Sequence, residues 1–340
     1  MNNRLLTITI ASLIICFCAH LAVAQGCGSL EYRLIATTKG STLEKELNEL
    51  AKQGFRFEKE AQAIGVSTFI VLASRPLGST PSQRFEYRIF DIGQFAKQKQ
   101  ELSSQGFIYR AAMLSSFLLS PGSMVYLLER DIGAPSSSYE YDVIASSKDK
   151  KLQTMLNGAN SGGFAPVAIS GATILLRRDA RNHTAEMGER ESLVLEAYKM
   201  STLEKEMNEA AKQGYRFLTS SALNSVLMSR DYKSKDQVHY EYKLVAIRAS
   251  DKSAGALNEL SKQGFVFRSA TEVGLTAVME RPLGSGVAGN PVEFKVLETR
   301  SEATAQKEIQ DACVQGFVPV SMSGGRGNFM ILVARSYRDS

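Results

Sequence analysis

Ser41–Phe57 reads STLEKELNELAKQGFRF, and Ser201–Phe217 reads STLEKEMNEAAKQGYRF; fourteen of the seventeen positions are identical. A third version, LNELSKQGFVF, occupies Leu257–Phe267. Repetition at this spacing marks a chain built from stacked copies of one small unit. The step from glycine to an aromatic residue indexes the whole chain. It occurs at Gly54-Phe55, Gly106-Phe107, Gly163-Phe164, Gly214-Tyr215, Gly264-Phe265 and Gly316-Phe317, with glycines 52, 57, 51, 50 and 52 residues apart. Six units of about fifty residues follow, over 29–78, 84–133, 138–181, 190–233, 239–284 and 291–338.

Each unit has the same internal order. An alternating strand such as Glu31–Ala36 opens it. A helix follows, with Leu43, Leu47, Leu50 and Ala51 on one apolar face. Ser41 and Glu44 are spaced as a capping box, and Gly54 ends the helix, because glycine takes the left-handed conformation that other residues resist. The aromatic after it then falls where a Schellman cap places an apolar contact, against Leu50. A second strand starts there. The third strand is apolar almost throughout, as in Phe69–Leu72, Val125–Leu128, Ile174–Leu176 and Met330–Val333, which suits the middle of a sheet. Pro166 and Pro319 fall at one place in the second strand, which puts that strand at an edge. The expected fold is α+β: six tandem β-α-β-β repeats, strand order first-third-second, one helix on one face of each sheet. Two three-repeat blocks, a closed ring like that of the β/α propellers, and a loose string all remain open.

Two columns of charge test this arrangement. Glu31, Glu86, Glu140, Glu191, Glu241 and Glu293 open the first strands; Arg75, Arg130, Arg178, Arg230, Arg281 and Arg335 close the third. Antiparallel neighbours bring each Glu opposite its own Arg, a cross-strand pair worth about 0.2–1 kcal/mol. The competing expectation is six arginines lining a common face for acidic ligands. Unit one is closest to unit four, and units three and six share their proline, so a three-unit block that doubled is expected.

The opening Glu-Tyr-Arg or Glu-Tyr-Lys strand, the Leu-Asn-Glu-Leu helix ending in Gly-aromatic and the apolar strand before Arg resemble a small bacterial family, domain of unknown function 4177, whose short members are single β-α-β-β units. The similarity covers nearly the whole chain after the N-terminal segment, with Phe or Tyr where those members usually carry Trp. It implies a fold and a bacterial source, and no activity.

The N-terminus reads Met1-Asn2-Asn3-Arg4, an apolar run Leu5–Phe17, and Ala22-Val23-Ala24. This is the pattern of a secretory signal peptide over 1–24, since the run is shorter than the ~20 residues of a membrane span. Localisation in the periplasm, cell envelope or outside the cell follows. Cys16 and Cys18 leave with the signal, and Cys27 and Cys313 remain. One disulfide between them is open in an oxidising compartment. Otherwise Cys313 is a small buried hydrophobe on its helix, and Ala24-Gln25-Gly26-Cys27 loosely resembles a lipoprotein box that would put a lipid anchor on Cys27.

The chain has 340 residues, 44% hydrophobic and 22% charged, the balance of a globular protein. Without Arg4 the net charge is +4, interspersed, with no basic stripe for nucleic acid. His183 and His239 stand apart from any cysteine or carboxylate cluster at metal-ligand spacing. No G-x-S-x-G elbow and no phosphate loop occurs. Gly324-Gly325-Arg326-Gly327 reads as a hairpin turn, and Glu44, Glu46, Glu204 and Glu206 as charges on the solvated helix face. No catalytic, metal or cofactor residue is nominated, no cofactor is expected, and binding residues are not identified. The leading expectation is a non-catalytic binding or scaffold protein for a protein or peptide partner, engaged partly through strand edges. The alternatives are a hydrolase-type enzyme with a site between repeats and a lipid-anchored structural envelope protein.

Overall fold

The computed structural model describes residues 29–63, 68–114, 124–134, 139–170, 172–181, 190–197, 199–220, 225–231, 238–247, 251–271, 276–284, 290–325 and 328–336. The signal segment, Cys27, His183, Arg326 and Gly327 lie outside them. Gly325 pairs with Asn328 across the last strand connection.

Six β-α-β-β units follow one another. They are β1 (Leu30–Thr37), α1 (Gly40–Lys52), β2 (Arg56–Ala63), β3 (Phe69–Pro76); β4 (Phe85–Asp91), α2 (Ile92–Ser104), β5 (Ile108–Leu114), β6 (Met124–Asp131); β7 (Tyr139–Ala145), α3 (Asp149–Ser161), β8 (Ala165–Ser170), β9 (Thr173–Asp179). The second half repeats the order: β10 (Arg190–Glu196), α4 (Met200–Lys212), β11 (Arg216–Ser220), β12 (Ser225–Asp231); β13 (Tyr240–Ala246), α5 (Asp251–Lys262), β14 (Val266–Thr271), β15 (Thr276–Pro282); β16 (Val292–Thr299), α6 (Glu302–Val314), β17 (Val318–Gly325), β18 (Asn328–Ser336). In every unit the strand order is first-third-second, with the third strand antiparallel to both neighbours. The proline-bearing β8 is an edge strand, as expected, but β17 is not: past Pro319 it also pairs with β2, so it lies inside a larger sheet.

The helix ends form as the Gly-aromatic step predicts. Gly54 has φ of 86°, its N–H donates to Ala51 O, and Phe55 N–H donates to Leu50 O. These two bonds define a Schellman cap, and they recur at Gly106, Gly163, Gly214, Gly264 and Gly316, with φ between 80° and 86°. The N-terminal expectation fails. Lys39 precedes α1 without a side-chain bond, because the helix already starts at Gly40 and leaves Ser41 inside its first turn. Glu44 is thereby free to reach the next unit. Where a side chain does cap, it is Asp91 on α2 and Ser301 on α6.

The six units close into a ring. Each helix packs on the first strand of the following unit: α1 on β4, α2 on β7, α3 on β10, α4 on β13, α5 on β16, and α6 back on β1. The second strands touch one another in succession around the axis, from β2 through β5, β8, β11 and β14 to β17 and back to β2. At the last step β17 and β2 form a parallel ladder, Met322 opposite Ala61 and Gly324 opposite Ala63, so the sheets of units six and one become a single six-stranded sheet. The cores lie between units: Leu43, Leu47 and Ala51 of α1 share one with Tyr87, Met113 and Leu127 of unit two, and Ile309 and Phe317 share another with Tyr32 and Leu72 across the closure.

Candidate functional site

At the outer rim the helix side chains occupy the free edge of the next first strand. Glu44 Oε2 accepts from Ile89 N–H at 2.8 Å, and Glu204 Oε2 accepts from Leu244 N–H at 2.8 Å. Asn48, Asn208 and Asn258 bond backbone groups of Tyr87, Tyr242 and Phe294, Gln153 holds Ser192 and Val194, and Gln306 holds Tyr32 and Leu34. Glu44 and Glu204 are therefore not solvated surface charge. The first-strand edges, expected to offer groups for strand addition, are already used by the neighbouring unit.

At the end of the ring where the third strands finish, the two charge columns meet. All six Glu residues stand directly opposite their Arg in the ladder and form ion pairs with it. Each Arg also lies over the post-helix aromatic, with guanidinium carbon to ring centre between 4.4 and 4.9 Å. Each donates Nη1 to a carbonyl at the helix end, as Arg75 does to Gln53. The alternative of six arginines open to an acidic ligand is overturned. The aromatic is required in all six units because it is the platform for this cation as well as a cap contact.

Two buried ionic clusters lie three units apart. Glu129 on β6, 1% exposed, accepts from Arg56 Nη2 at 2.7 Å and from Tyr87 Oη at 3.0 Å, while Tyr87 Oη accepts from Phe57 N–H and Arg110 Nε lies 3.8 Å away. Glu280 on β15 repeats the set with Arg216, Tyr242, Phe217 and Arg268. Burial, followed by the adjacent carboxylate, pushes the phenols of Tyr87 and Tyr242 far up. The residue before the column Arg is Ser74, Glu129 and Arg177 in the first three units and Ser229, Glu280 and Ala334 in the second three; the first two of each three match, which supports a doubled block.

The axis carries the departures from the repeat. Every second strand has a β-bulge four residues after its glycine, at Glu58, Arg110, Val167, Leu218, Arg268 and Val320. The next two positions are small, hydroxylic or apolar in units two to six: Ala111-Ala112, Ala168-Ile169, Thr219-Ser220, Ser269-Ala270 and Ser321-Met322. Unit one instead carries Lys59-Glu60. Lys59 faces the closure, where its Nζ donates to Val320 O at 3.3 Å, and Glu58 accepts from Ser74 Oγ. Burial lowers the Lys59 pKa against the pull of Glu58 and Glu60. Burial raises that of Glu60, against its own backbone N–H, Lys59 and Arg110. Inner-strand charges that cost stability at one copy in six are a departure that packing does not require. Sequence reasoning missed these residues; the signal that could have found them is the charged pair at 59–60 where the other units carry small, hydroxylic or apolar residues.

A second departure from ordinary surface chemistry lies at the Glu–Arg end. Leu77, Ile132 and Leu283 are 61%, 51% and 48% exposed. They occupy one repeat position, two residues after the column Arg, and each backbone N–H donates to the residue before the first strand of its unit: Ser29, Arg84 and His239. Ala180 holds that position in unit three; Tyr232 and Tyr337 hold it in units four and six, outside the described residues. His239 Nδ1 contacts Ala211 O. Among the described residues no group of three His, Cys, Asp or Glu could hold a metal, and no helix is long and apolar enough to cross a membrane. Cys313 is buried and disulfide-bonded, which replaces its reading as a plain small hydrophobe. No protein-family model matches the chain, and no curated protein matches it.

Proposed function

We propose that this is an exported bacterial binding or scaffold protein that takes a protein partner on the Glu–Arg end of its ring. One observation carries the reading: Leu77, Ile132 and Leu283 present large apolar side chains to water at rotationally equivalent positions, each fixed by the same backbone bond. Single exposed aliphatics are ordinary on a protein surface. A rigid set repeated around one face is the form of an interaction surface. The test places a photoreactive residue at 77, 132 or 283, with Lys205 on the exposed side of α4 as control, in the exporting cell. The expected result is one protein crosslinked from the three face positions, not from 205, and lost when the two remaining face residues are changed to lysine. Equal crosslinking from 205, or none from the face, overturns it.

A second reading, an enzyme with a site between repeats, is favoured by Glu60 on an inner strand, whose carboxyl burial pushes toward its neutral form. A carboxyl whose proton is held more tightly than usual is the kind of group that general acid catalysis recruits. Its test is a hydrolase substrate screen: turnover abolished by Glu60→Gln with the fold retained would promote it, and absence of turnover leaves the binding reading in place.

A further inference from the structure

We infer that Cys313 is bonded to Cys27 and that this disulfide clasps the ring shut. Cys313 lies three residues before its helix-ending glycine, the position of Ala51, Ser103, Asn160, Ala211 and Ser261 in the other units. That position faces the start of the next first strand: Ser261 Oγ accepts from Val292 N–H at 2.6 Å, and Asn160 bonds Ser192 Oγ at 3.0 Å. In unit six the next first strand is β1, and Cys313 Sγ lies 3.7 Å from Leu30 O. Cys27 is three residues before Leu30, a stretch of at most ~10 Å, so it can bring its Cα within the ~4.4–6.8 Å that a disulfide needs. Cys16 and Cys18 belong to the signal segment, and a bond to either would keep that segment attached to the folded ring.

The bond ties the entry of unit one to the last helix, at the junction where, among the described residues, two second strands also share a ladder. Formation is a two-electron oxidation. Two thiols lose two protons and two electrons through a mixed disulfide, and the disulfide of an oxidoreductase in the exporting compartment is reduced to a dithiol. Covalent closure therefore follows export. Because acylation would use the same sulfur, a bonded Cys27 carries no lipid, which removes the lipid-anchored envelope reading.

The test is non-reducing peptide mapping of the protein recovered after export. The expected result is a single peptide pair joining Cys27 to Cys313, without acyl mass. An acylated Cys27, a free Cys313, or a pair involving Cys16 or Cys18 overturns the assignment. Cys313→Ala, the residue already present in units one and four, keeps the packing. It is expected to unfold roughly 5–10 °C below the untreated protein, and reductant should lower the parent to the same temperature while leaving the variant unmoved. A parent indifferent to reductant, or a variant equal to it, sinks the clasp.

Discussion

The side-chain amide of Asn48 holds the backbone of Tyr87 on both sides, Nδ2 donating to its carbonyl oxygen and Oδ1 accepting from its N–H, both at 3.0 Å. One side chain thus imitates a strand residue and finishes the edge of a sheet that belongs to another unit. Asn208 does the same for Tyr242. Replacing Asn48 by Leu leaves a part-buried donor and acceptor without partners, at about 1–3 kcal/mol. Asn48→Leu should lower the unfolding free energy read from urea denaturation by that amount, and Asn48→Ala should not recover it.

Glu129 is the acceptor for two units at once. Glu129→Ala strands Arg110 beside an apolar ring and removes the partner of Tyr87 Oη. Loss of one side of a buried pair costs about 3 kcal/mol. Glu280→Ala should cost the same, and the two should add to within ~0.5 kcal/mol, since they lie three units apart. Chemical denaturation of both single variants and the double variant measures this.

Arg75→Lys keeps the charge opposite Glu31 but loses the planar stack on Phe55 and the bond from Nη1 to Gln53 O. A loss of about 1 kcal/mol is expected. Added salt should weaken the parent pair only slightly, because both partners are part-buried and such pairs are poorly screened. Thermal unfolding of parent and variant at low and high salt reads both effects.

Glu60 titrates above the ordinary carboxylate value of 4.5 because burial disfavours its charged form. The folded chain then holds the proton more tightly than the unfolded chain, so stability falls as pH rises from 4.5 through the folded value and stays lower beyond it. Glu60→Gln should raise the melting temperature at pH 7, leave it unchanged near pH 4, and flatten the profile between. A lower melting temperature at pH 7 would show that Glu60 is held by a partner that outweighs its burial.

The unit was readable from local chemistry. The Gly-aromatic step reported a Schellman cap, and the Glu31 and Arg75 columns reported strand register, because both depend on residues close in sequence or on a strict two-residue alternation. Glu44 and Asn48 were not readable in the same way. Their spacing places them on the polar side of α1, and only the docking of α1 onto β4 shows that this side faces backbone rather than water. Closure was equally hidden: Gln306 and Cys313 look like ordinary helix residues until β1, more than 270 positions earlier, is laid against them. Lys59-Glu60 went unnoticed in the sequence, because a charged pair on one strand carries weight only once the six second strands are brought together around the axis.

Because α6 rests on β1 as α1 rests on β4, the architecture has no first or last blade. Open repeat arrays can lengthen or shorten by a unit and keep their terminal caps. In this ring one unit more or fewer changes the angle every junction must subtend. A change in the number of units would therefore have to be absorbed at every junction at once, and not at the two ends alone.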